Sequence, residues 1–179
     1  CGLTSEGLIE CFGSDEYGRA PKSKKASQGK FVQLSAGSAH TCGVTSEGII
    51  ECFGGDGNGR APKSKQASQG TFVQVSAGTY HTCGLTSDGL IECFVRDNYG
   101  QAPKSKKASQ GKFVQVSAGR EHTCGLTSEG LIECFGSDKY GQSNGGKPYK
   151  LRAYQQPGYV RNGYAGYSKA CQPNYYSEG

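Results

Sequence analysis

Features that mark many enzymes and membrane proteins are missing from the sequence. No run of about 18 apolar residues occurs, so no segment is expected to span a membrane. Gly-x-Ser-x-Gly occurs once, as GQSNG at 141–145, without the strand–turn–helix pattern of a nucleophile elbow. No His–Asp pair recurs beside a nucleophile, so we expect neither an enzyme nor a cofactor. No Asn-x-Ser/Thr sequon occurs, so N-glycosylation is not expected. The absence of Met indicates that the sequence starts after an initiator.

Glycine and cysteine, in contrast, are abundant. The 179 residues include 29 Gly and 9 Cys. High glycine with modest apolar content is typical of short strands joined by tight turns, because Gly adopts the positive φ that such turns need. The net charge of +5 is mild. It favours polyanionic partners without requiring them.

A repeat of 41 residues organises most of the chain. The segment HTCGVTSEGIIECF at 40–53 recurs in nearly the same form at 81–94 and 122–135, and FVQ(L/V)SAG precedes each copy. The pattern predicts an all-β fold of tandem repeats. We assign residues 1–141 to the repeats, with a half repeat at 1–13 and strand cores at 31–54, 72–95 and 113–136. Residues 142–179 form a Tyr- and Gly-rich segment with a degenerate closing repeat.

Each repeat contains three strand signals. FVQVSAG is rich in β-forming residues, and HTCGLT and GLIECF follow it, separated by Ser, an acidic residue and Gly. A three-residue turn with a bulge requires Gly at its last, left-handed position. That position is occupied by Gly7, Gly48, Gly89 and Gly130. This register pairs Leu3 with Ile9 and places Cys1 opposite Cys11.

The same register arranges eight cysteines in pairs. Directly opposed cysteines of an antiparallel pair approach to disulfide range, particularly at a non-hydrogen-bonded position. Buried free thiols are the alternative, and zinc is less favoured because the spacing does not resemble that of metal-binding cysteines. Disulfides would indicate a secreted or lumenal protein, and Cys171 would have no obvious partner. The predicted pairs are Cys1 with Cys11, Cys42 with Cys52, Cys83 with Cys93, and Cys124 with Cys134.

Residues 113–142, FVQVSAGREHTCGLTSEGLIECFGSDKYGQ, resemble the repeat of the regulator-of-chromosome-condensation family. In that family, aromatic-x-x-V-(A/S)-A-G-x-x-H-(T/S)-C is followed by an Asp-Gly turn and by C-W-G-x-N-x-x-G-Q, and the likeness covers about residues 1–142. The resemblance implies a β-propeller, usually of seven blades. It does not fix the function, because the family includes chromatin-associated exchange factors and secreted inhibitors of β-lactamases. The cysteines favour a secreted, disulfide-bearing branch.

The sequence departs from the family pattern in two columns and in length. The chain has room for about 4.4 repeats (179/41), fewer than seven. We therefore expect a partial propeller, a small closed ring, or a propeller completed between chains. Phe replaces the usual Trp at Phe12, Phe53, Phe94 and Phe135. Asp replaces the usual Asn at Asp15, Asp56, Asp97 and Asp138.

Three polar columns recur once per repeat, and we predict no metal site in any of them. The column of His40, His81 and His122 could form a metal ring, but a repeated structural hydrogen bond is favoured, because successive blades lie too far apart to share a metal. The Asp column could bind calcium, but one Asp per loop without a bidentate Glu is more simply an Asx turn. A third column lies opposite Gly and is interpreted as scaffold; its members are Glu10, Glu51, Glu92 and Glu133.

Two surfaces are candidate binding sites. The linking loop APKSKKASQGK is either solvated or a basic stripe for acidic glycans or anionic surfaces, and the predicted compartment argues against nucleic acid. The C-terminal segment is either a cap on the end blade or an adhesive interface. The lysines of the stripe are Lys22, Lys24, Lys25, Lys63, Lys65, Lys104, Lys106 and Lys107. The tyrosines of the interface are Tyr149, Tyr154, Tyr159, Tyr164 and Tyr167.

Two functions remain open from the sequence. Near-identical repeats favour an extracellular, non-catalytic structural or assembly protein, which joins copies of itself head-to-tail or in a closed oligomer. Variable residue pairs at one loop site favour a secreted binding module or inhibitor that recognises a protein or glycan through one propeller face. Those pairs are Ser38-Ala39, Thr79-Tyr80 and Arg120-Glu121.

Overall fold

The computed structural model describes residues 1–95, 97–150, 159–162 and 166–169. These residues form β-strands and short 3-10 turns, so the predicted all-β fold is confirmed. The strands are β1 (Gly2–Leu3), β2 (Ile9–Glu10), β3 (Phe31–Ala36), β4 (His40–Thr45), β5 (Ile50–Gly54), β6 (Phe72–Ala77), β7 (His81–Thr86), β8 (Ile91–Val95), β9 (Phe113–Ala118), β10 (His122–Thr127), β11 (Leu131–Gly136), β12 (Tyr149–Lys150), β13 (Tyr159–Asn162) and β14 (Gly166–Lys169).

The strands form consecutive antiparallel sheets, one per repeat, that pack against one another in series. The first blade is β3-β4-β5, the second is β6-β7-β8, and the third is β9-β10-β11 with β12 as a fourth strand. β1 and β2 form a half blade, and β13 pairs with β14. The register is the predicted one, since Leu3 pairs with Ile9 and Cys42 with Cys52.

The hairpin turns depend on glycine. Gly48 has a φ of +70°, and its N–H donates to the Thr45 carbonyl at 2.9 Å to close the turn between β4 and β5. A Cβ added at Gly48 would lie 2.3 Å from the Cβ of Thr71. A larger residue is therefore disfavoured by the backbone conformation and by contact with the next linker.

The linker between repeats runs along the outer edge of one hairpin before it enters the next blade. Ile50 and Lys65 exchange backbone hydrogen bonds of 2.9 and 2.8 Å, and the Cys52 N–H donates to the Pro62 carbonyl at 3.0 Å. Because this N–H points away from β4, Cys42 and Cys52 form a non-hydrogen-bonded pair, the type in which side chains lie closest.

The core lies between consecutive blades. Phe72, the first residue of β6, is buried in one cluster with Ile50 of the preceding blade. A Cβ added at Gly84 would lie 2.5 Å from Cδ1 of Phe72 and 2.6 Å from Cδ1 of Ile50, so only Gly leaves room for the ring. Burying one such phenyl ring contributes about 2 kcal/mol to the free energy of unfolding. The same contact recurs in two further sets, Ile9 with Phe31 and Gly43, and Ile91 with Phe113 and Gly125.

Candidate functional site

Four of the hairpins are each closed by a disulfide of their own. The four disulfides join the cysteines that the register opposes, with Cα–Cα distances of 3.9 to 4.0 Å. Cys42 and Cys83 are fully buried between blades. Cys171 lies outside the described residues. The bonded pairs are Cys1–Cys11, Cys42–Cys52, Cys83–Cys93 and Cys124–Cys134.

A threonine hydroxyl joins each blade to the preceding one. The Thr82 hydroxyl donates to the Arg60 carbonyl at 2.7 Å, and its Oγ1 lies 2.7 Å from Nε2 of His40. Because the single hydroxyl proton is used on the carbonyl, Nε2 of His40 carries the proton and donates to Thr82. Thr123 and His81 repeat the contact at 2.7 Å.

Burial keeps these two histidines neutral. His40 and His81 are fully buried, and within the described residues Nδ1 of each has no hydrogen-bond partner. Burial lowers the pKa of both side chains from 6.5 to about 4, and in His40 the nearby Arg60 guanidinium adds to the effect. A structural hydrogen bond is thus confirmed for both. The described part of the chain contains no group of three or more His, Cys, Asp or Glu that could hold a metal ion.

Polar side chains of one blade also accept hydrogen bonds from the backbone N–H groups of the edge strand of the next blade. Gln33 Oε1 accepts from the Val75 N–H at 2.9 Å, and Ser35 Oγ accepts from the Ala77 N–H at 3.0 Å. We call Gln33, Ser35 and His40 the leading face of the first blade. The trailing face of the second blade consists of the Val75 and Ala77 amides and the Thr82 hydroxyl.

The second and third blades meet through the same contacts. Gln74 accepts from the Val116 N–H and Ser76 from the Ala118 N–H, each at 2.9 Å. Edge strands expose unpaired amides, which invite association with other chains. Here the preceding blade occupies them, so the leading and trailing faces hold the array in a fixed order.

The acidic columns hold the linkers and loops in place. The buried Glu51 carboxylate accepts from the Ser27 N–H, at 3.0 and 3.1 Å to its two oxygens, and from the Ser27 hydroxyl. In the Asp column, Asp138 Oδ1 accepts from the Ser143 N–H at 2.9 Å, and this bond holds the pKa of Asp138 below its ordinary value. Both columns therefore serve as scaffold, except at Glu10, which is exposed in β2. The other pairs are Glu92 with Ser68, Glu133 with Ser109, Asp15 with Ala20, Asp56 with Ala61, and Asp97 with Ala102.

Three lysines of the predicted basic stripe are used within the fold. Lys24 lies with its Nζ 6.0 Å from the Phe53 ring centroid, and its backbone bridges Ile9. Lys65 and Lys106 repeat this contact at 5.3 and 5.8 Å from the Phe rings that replace the usual Trp, a distance at which cations and rings attract. Lys65 is exposed although it contacts a Phe ring, and five further lysines of the stripe are exposed, namely Lys22, Lys25, Lys63, Lys104 and Lys107. The prediction of polyanion binding now depends on these five.

The predicted tyrosine interface is described only in part. Tyr149 is half exposed in β12, where it pairs with Ile132 of β11. Tyr159 and Tyr167 lie in β13 and β14. Tyr154 and Tyr164 lie outside the described residues. An adhesive role for this segment stays a prediction.

A second surface, of which the sequence analysis identified only the variable residue pairs, lies at one end of the blades. We call it the loop face: it comprises the loops after the third strand of each unit, 13–20, 55–60, 97–101 and 137–142, and those between the first two strands, 37–39, 78–80 and 119–121. Hydrogen bonds join the two kinds of loop, from the Arg19 guanidinium to the Ser38 carbonyl at 3.1 Å and from the Arg60 guanidinium to the Thr79 carbonyl at 3.2 Å. The variable loop pairs noted in the sequence belong to this face.

Exposed aromatic residues recur on the loop face. Tyr17, Tyr99 and Tyr140 occupy the same loop position in three units and are 66, 55 and 82% exposed. Their YG(R/Q) context occupies three of the four corresponding positions of the 41-residue period, with Asn58 at the other, so the signal was present in the sequence. Beside Tyr99 and Tyr140 is an open cleft of about 510 Å³, which is also lined by Arg120, Glu121, His122 and Lys139.

The fold and its disulfides define a class of protein. It is a tandem-repeat array of propeller-type blades, in which the leading face of one blade forms hydrogen bonds with the next blade. The chain belongs to the regulator of chromosome condensation (RCC1) repeat family, whose sequence model matches residues 31–60, 72–101 and 113–142. A comparison with curated protein sequences gives no significant match. The described residues contain no helix long and apolar enough to cross a membrane.

Solved β-propeller structures show the same fold. The CRINKLY WD40 ectodomain of the Arabidopsis thaliana receptor kinase ACR4 is 22% identical over 75% of the chain, with a TM-score of 0.55. The ectodomain of the Physcomitrella patens receptor kinase CR4 is 21% identical over 74%, with a TM-score of 0.57. Prp20p from Saccharomyces cerevisiae is 17% identical over 75%, with a TM-score of 0.55. The chain covers 44, 37 and 37% of these three structures.

Proposed function

We propose that the chain is a non-catalytic recognition module of an oxidising, extracellular compartment, and that its loop face binds a protein or glycan partner. The observation that carries this proposal is the set of exposed tyrosines, Tyr17, Tyr99 and Tyr140, at the same position in three of the four corresponding loops. Rings with an apolar body and a polar tip suit binding interfaces. The cleft beside Tyr140 adds Arg120, Lys139 and Glu121, which provide charge of both signs for orienting a ligand.

The disulfides support the proposal of an oxidising, extracellular compartment. Four hairpins have one each, and disulfides persist mainly in oxidising environments. Two of the structures with this fold are ectodomains of receptor kinases, so the fold is compatible with an extracellular location. Mass spectrometry of the intact chain with and without reductant, on material from its native source, tests this point. Nine free thiols in the native protein would contradict it.

The scaffold role of the buried polar side chains supports a non-catalytic function. His40 and His81 donate to the threonines of the next blade, and the carboxylate of Glu51 is occupied by Ser27. General acid–base catalysis needs such groups within reach of a substrate, at the surface of a cleft. His40, His81 and Glu51 lie between elements of the fold instead, whereas His122 and Glu121 line the cleft.

Binding to a glycan array of neutral and uronic-acid oligosaccharides, and to a panel of secreted proteins, tests the role of the loop face. We expect the double variant Tyr99→Ala and Tyr140→Ala to lose about tenfold or more in affinity for any specific ligand found, because exposed aromatics often dominate interfaces. Tyr149→Ala is the matched control, since Tyr149 is half exposed but lies outside the loop face. Equal losses in both proteins would contradict the proposal.

A structural or assembly role is the second candidate, and the polarity of the blades favours it. Leading and trailing faces are complementary rather than alike, so blades of different chains could join head-to-tail as they do within one chain. Light scattering of the purified chain distinguishes the two functions. A ladder of sizes supports assembly, and a stable monomer supports the recognition module.

A further inference from the structure

The leading face of the third blade carries the same groups as the other two but lacks their contacts. Gln115 and Ser117 are exposed and His122 is half-buried. In the part of the chain that the structure describes, none of these three side chains has a hydrogen-bond partner. Their counterparts in the first two blades are bonded at 2.7 to 3.0 Å.

The apolar part of this face is open as well. Ile132 is half-buried, whereas Ile91 at the same position of the second blade is fully buried with Phe113 of the third. A following strand that begins with an aromatic residue would cover Ile132 in the same way. The uncovered area is thus shaped for another blade of this type.

The cleft on the loop face continues this surface. Between the second and third blades, the Thr79 N–H donates to the Gly119 carbonyl at 3.1 Å, and the Arg120 guanidinium lies 5.7 Å from the Tyr80 ring centroid. Residues 119–121 join the first two strands of the third blade. The cleft beside His122 is the corresponding space, so a connection between two further strands fits there.

One hairpin of the chain lacks a supporting sheet. Among the described strands, β13 and β14 pair only with each other, and an isolated two-stranded hairpin is marginally stable in water. β13 begins with the aromatic Tyr159, as β3, β6 and β9 begin with Phe. Residues 163–165 join β13 to β14, as residues 37–39 join β3 to β4.

The chain between the third blade and this hairpin is long enough to bring them together. Between the second and third blades, the linker 107–112 is enough to connect two points. These are Lys106, which bridges Ile91 on the second blade, and Phe113, the first residue of the third blade. The corresponding points after the third blade are Tyr149, which pairs with Ile132, and Tyr159, and the segment 150–158 that connects them is longer.

We propose that the β13–β14 hairpin, residues 159–169, is a reduced blade that docks on the leading face of the third blade. Main-chain amides of the hairpin donate to Gln115 and Ser117, and Tyr159 covers Ile132. The chain thereby covers its own uncovered leading face. This proposal does not depend on the proposed function of the loop face.

Hydrogen exchange of the full chain, read by mass spectrometry, tests the docking. We expect amides of 159–169 to be protected, and the double variant Gln115→Ala and Ser117→Ala to increase their exchange rate about tenfold or more, because the hairpin loses its support. Gln33→Ala with Ser35→Ala is the matched control, which removes the same bonds between the first and second blades. Unprotected amides in the unaltered chain, or protection unchanged by the first double variant, would overturn the proposal.

A second pair of variants tests the aromatic contact, and dilution identifies the occupant. Tyr159→Ser is expected to increase exchange at Ile132 and its neighbours in β11, whereas Tyr175→Ser, outside both strands of the hairpin, leaves it unchanged. Equal effects would count against the proposal. Protection of 159–169 that persists in monomers, as sized by light scattering over a dilution series, supports docking within one chain. Protection that disappears as the chain dissociates would mean that a second copy is bound, and would overturn it.

Discussion

Acid should destabilise the array through His40 and His81. The pKa of each is about 4 in the folded chain and 6.5 when exposed. A base whose folded pKa is lowered stabilises the fold fully above its unfolded pKa, and this contribution is lost as pH falls from about 6.5 to about 4. The cause is structural: a proton on Nδ1 would place a charge, with no acceptor among the described residues, between two blades.

The magnitude follows from the two pKa values. In this window each histidine reduces the free energy of unfolding by up to about 1.4 kcal/mol per pH unit. From pH 7.5 to pH 4 the loss is about 3 kcal/mol for each residue. The two losses do not simply add, because His81 contributes to the lowered pKa of His40. Each loss is a large fraction of the total stability of many domains.

Urea unfolding with the disulfides intact, repeated between pH 7.5 and pH 4, measures the effect. Carboxylates titrate in the same range, so the informative quantity is the difference in slope between the unaltered chain and the variants. His40→Gln and His81→Gln should each remove about half of the histidine-dependent slope, and the double variant all of it. Thr82→Val removes the partner of His40 but keeps both imidazoles, so it should lower stability and retain the slope. An unchanged slope in the double histidine variant would refute the reasoning.

Three further predictions follow from the contacts. Replacing Cys83 and Cys93 together by Ser should lower the free energy of unfolding by about 3 kcal/mol. Urea titration against the unaltered chain under oxidising conditions measures the difference. No change would show that this disulfide does not constrain the unfolded chain. Gly84→Ala should cost about 2 kcal/mol or more because its Cβ would meet Phe72 and Ile50, whereas Gly2→Ala, with no atom within 4 Å, should cost less than about 0.5 kcal/mol; thermal unfolding compares them. On immobilised heparin, removing three exposed lysines should lower the eluting salt concentration more than removing the three lysines that contact Phe, and equal shifts would argue against a specific stripe. The two triple variants are Lys22→Gln, Lys63→Gln, Lys104→Gln and Lys24→Gln, Lys65→Gln, Lys106→Gln.

The sequence was most informative where a contact repeats within one hairpin. The turn glycines fix the register, and the register places Cys42 opposite Cys52, so strands and disulfides followed from local spacing. Contacts between blades were harder to foresee. His40 was assigned a structural bond, but its partner Thr82 lies in the next repeat, where the period alone cannot select one polar residue from several.

The candidate site illustrates the same limit. Lys24 was assigned to a basic stripe, yet it lies over Phe53, because the linker that carries it runs along the edge of one hairpin and reaches the next blade. The recurring tyrosines such as Tyr99 were visible in the sequence but gained meaning only when the fold placed their loops at one end. Neither placement follows from composition or from the repeat length.

The complementarity of the blade faces also restricts symmetry. The leading face offers side-chain oxygens and an imidazole N–H, and the trailing face offers backbone amides and a hydroxyl oxygen that accepts. Two leading faces placed together would not reproduce these bonds, because neither face would offer the other its backbone amides. An association between copies that repeats the contacts seen between blades must therefore join a leading face to a trailing face, and is directional.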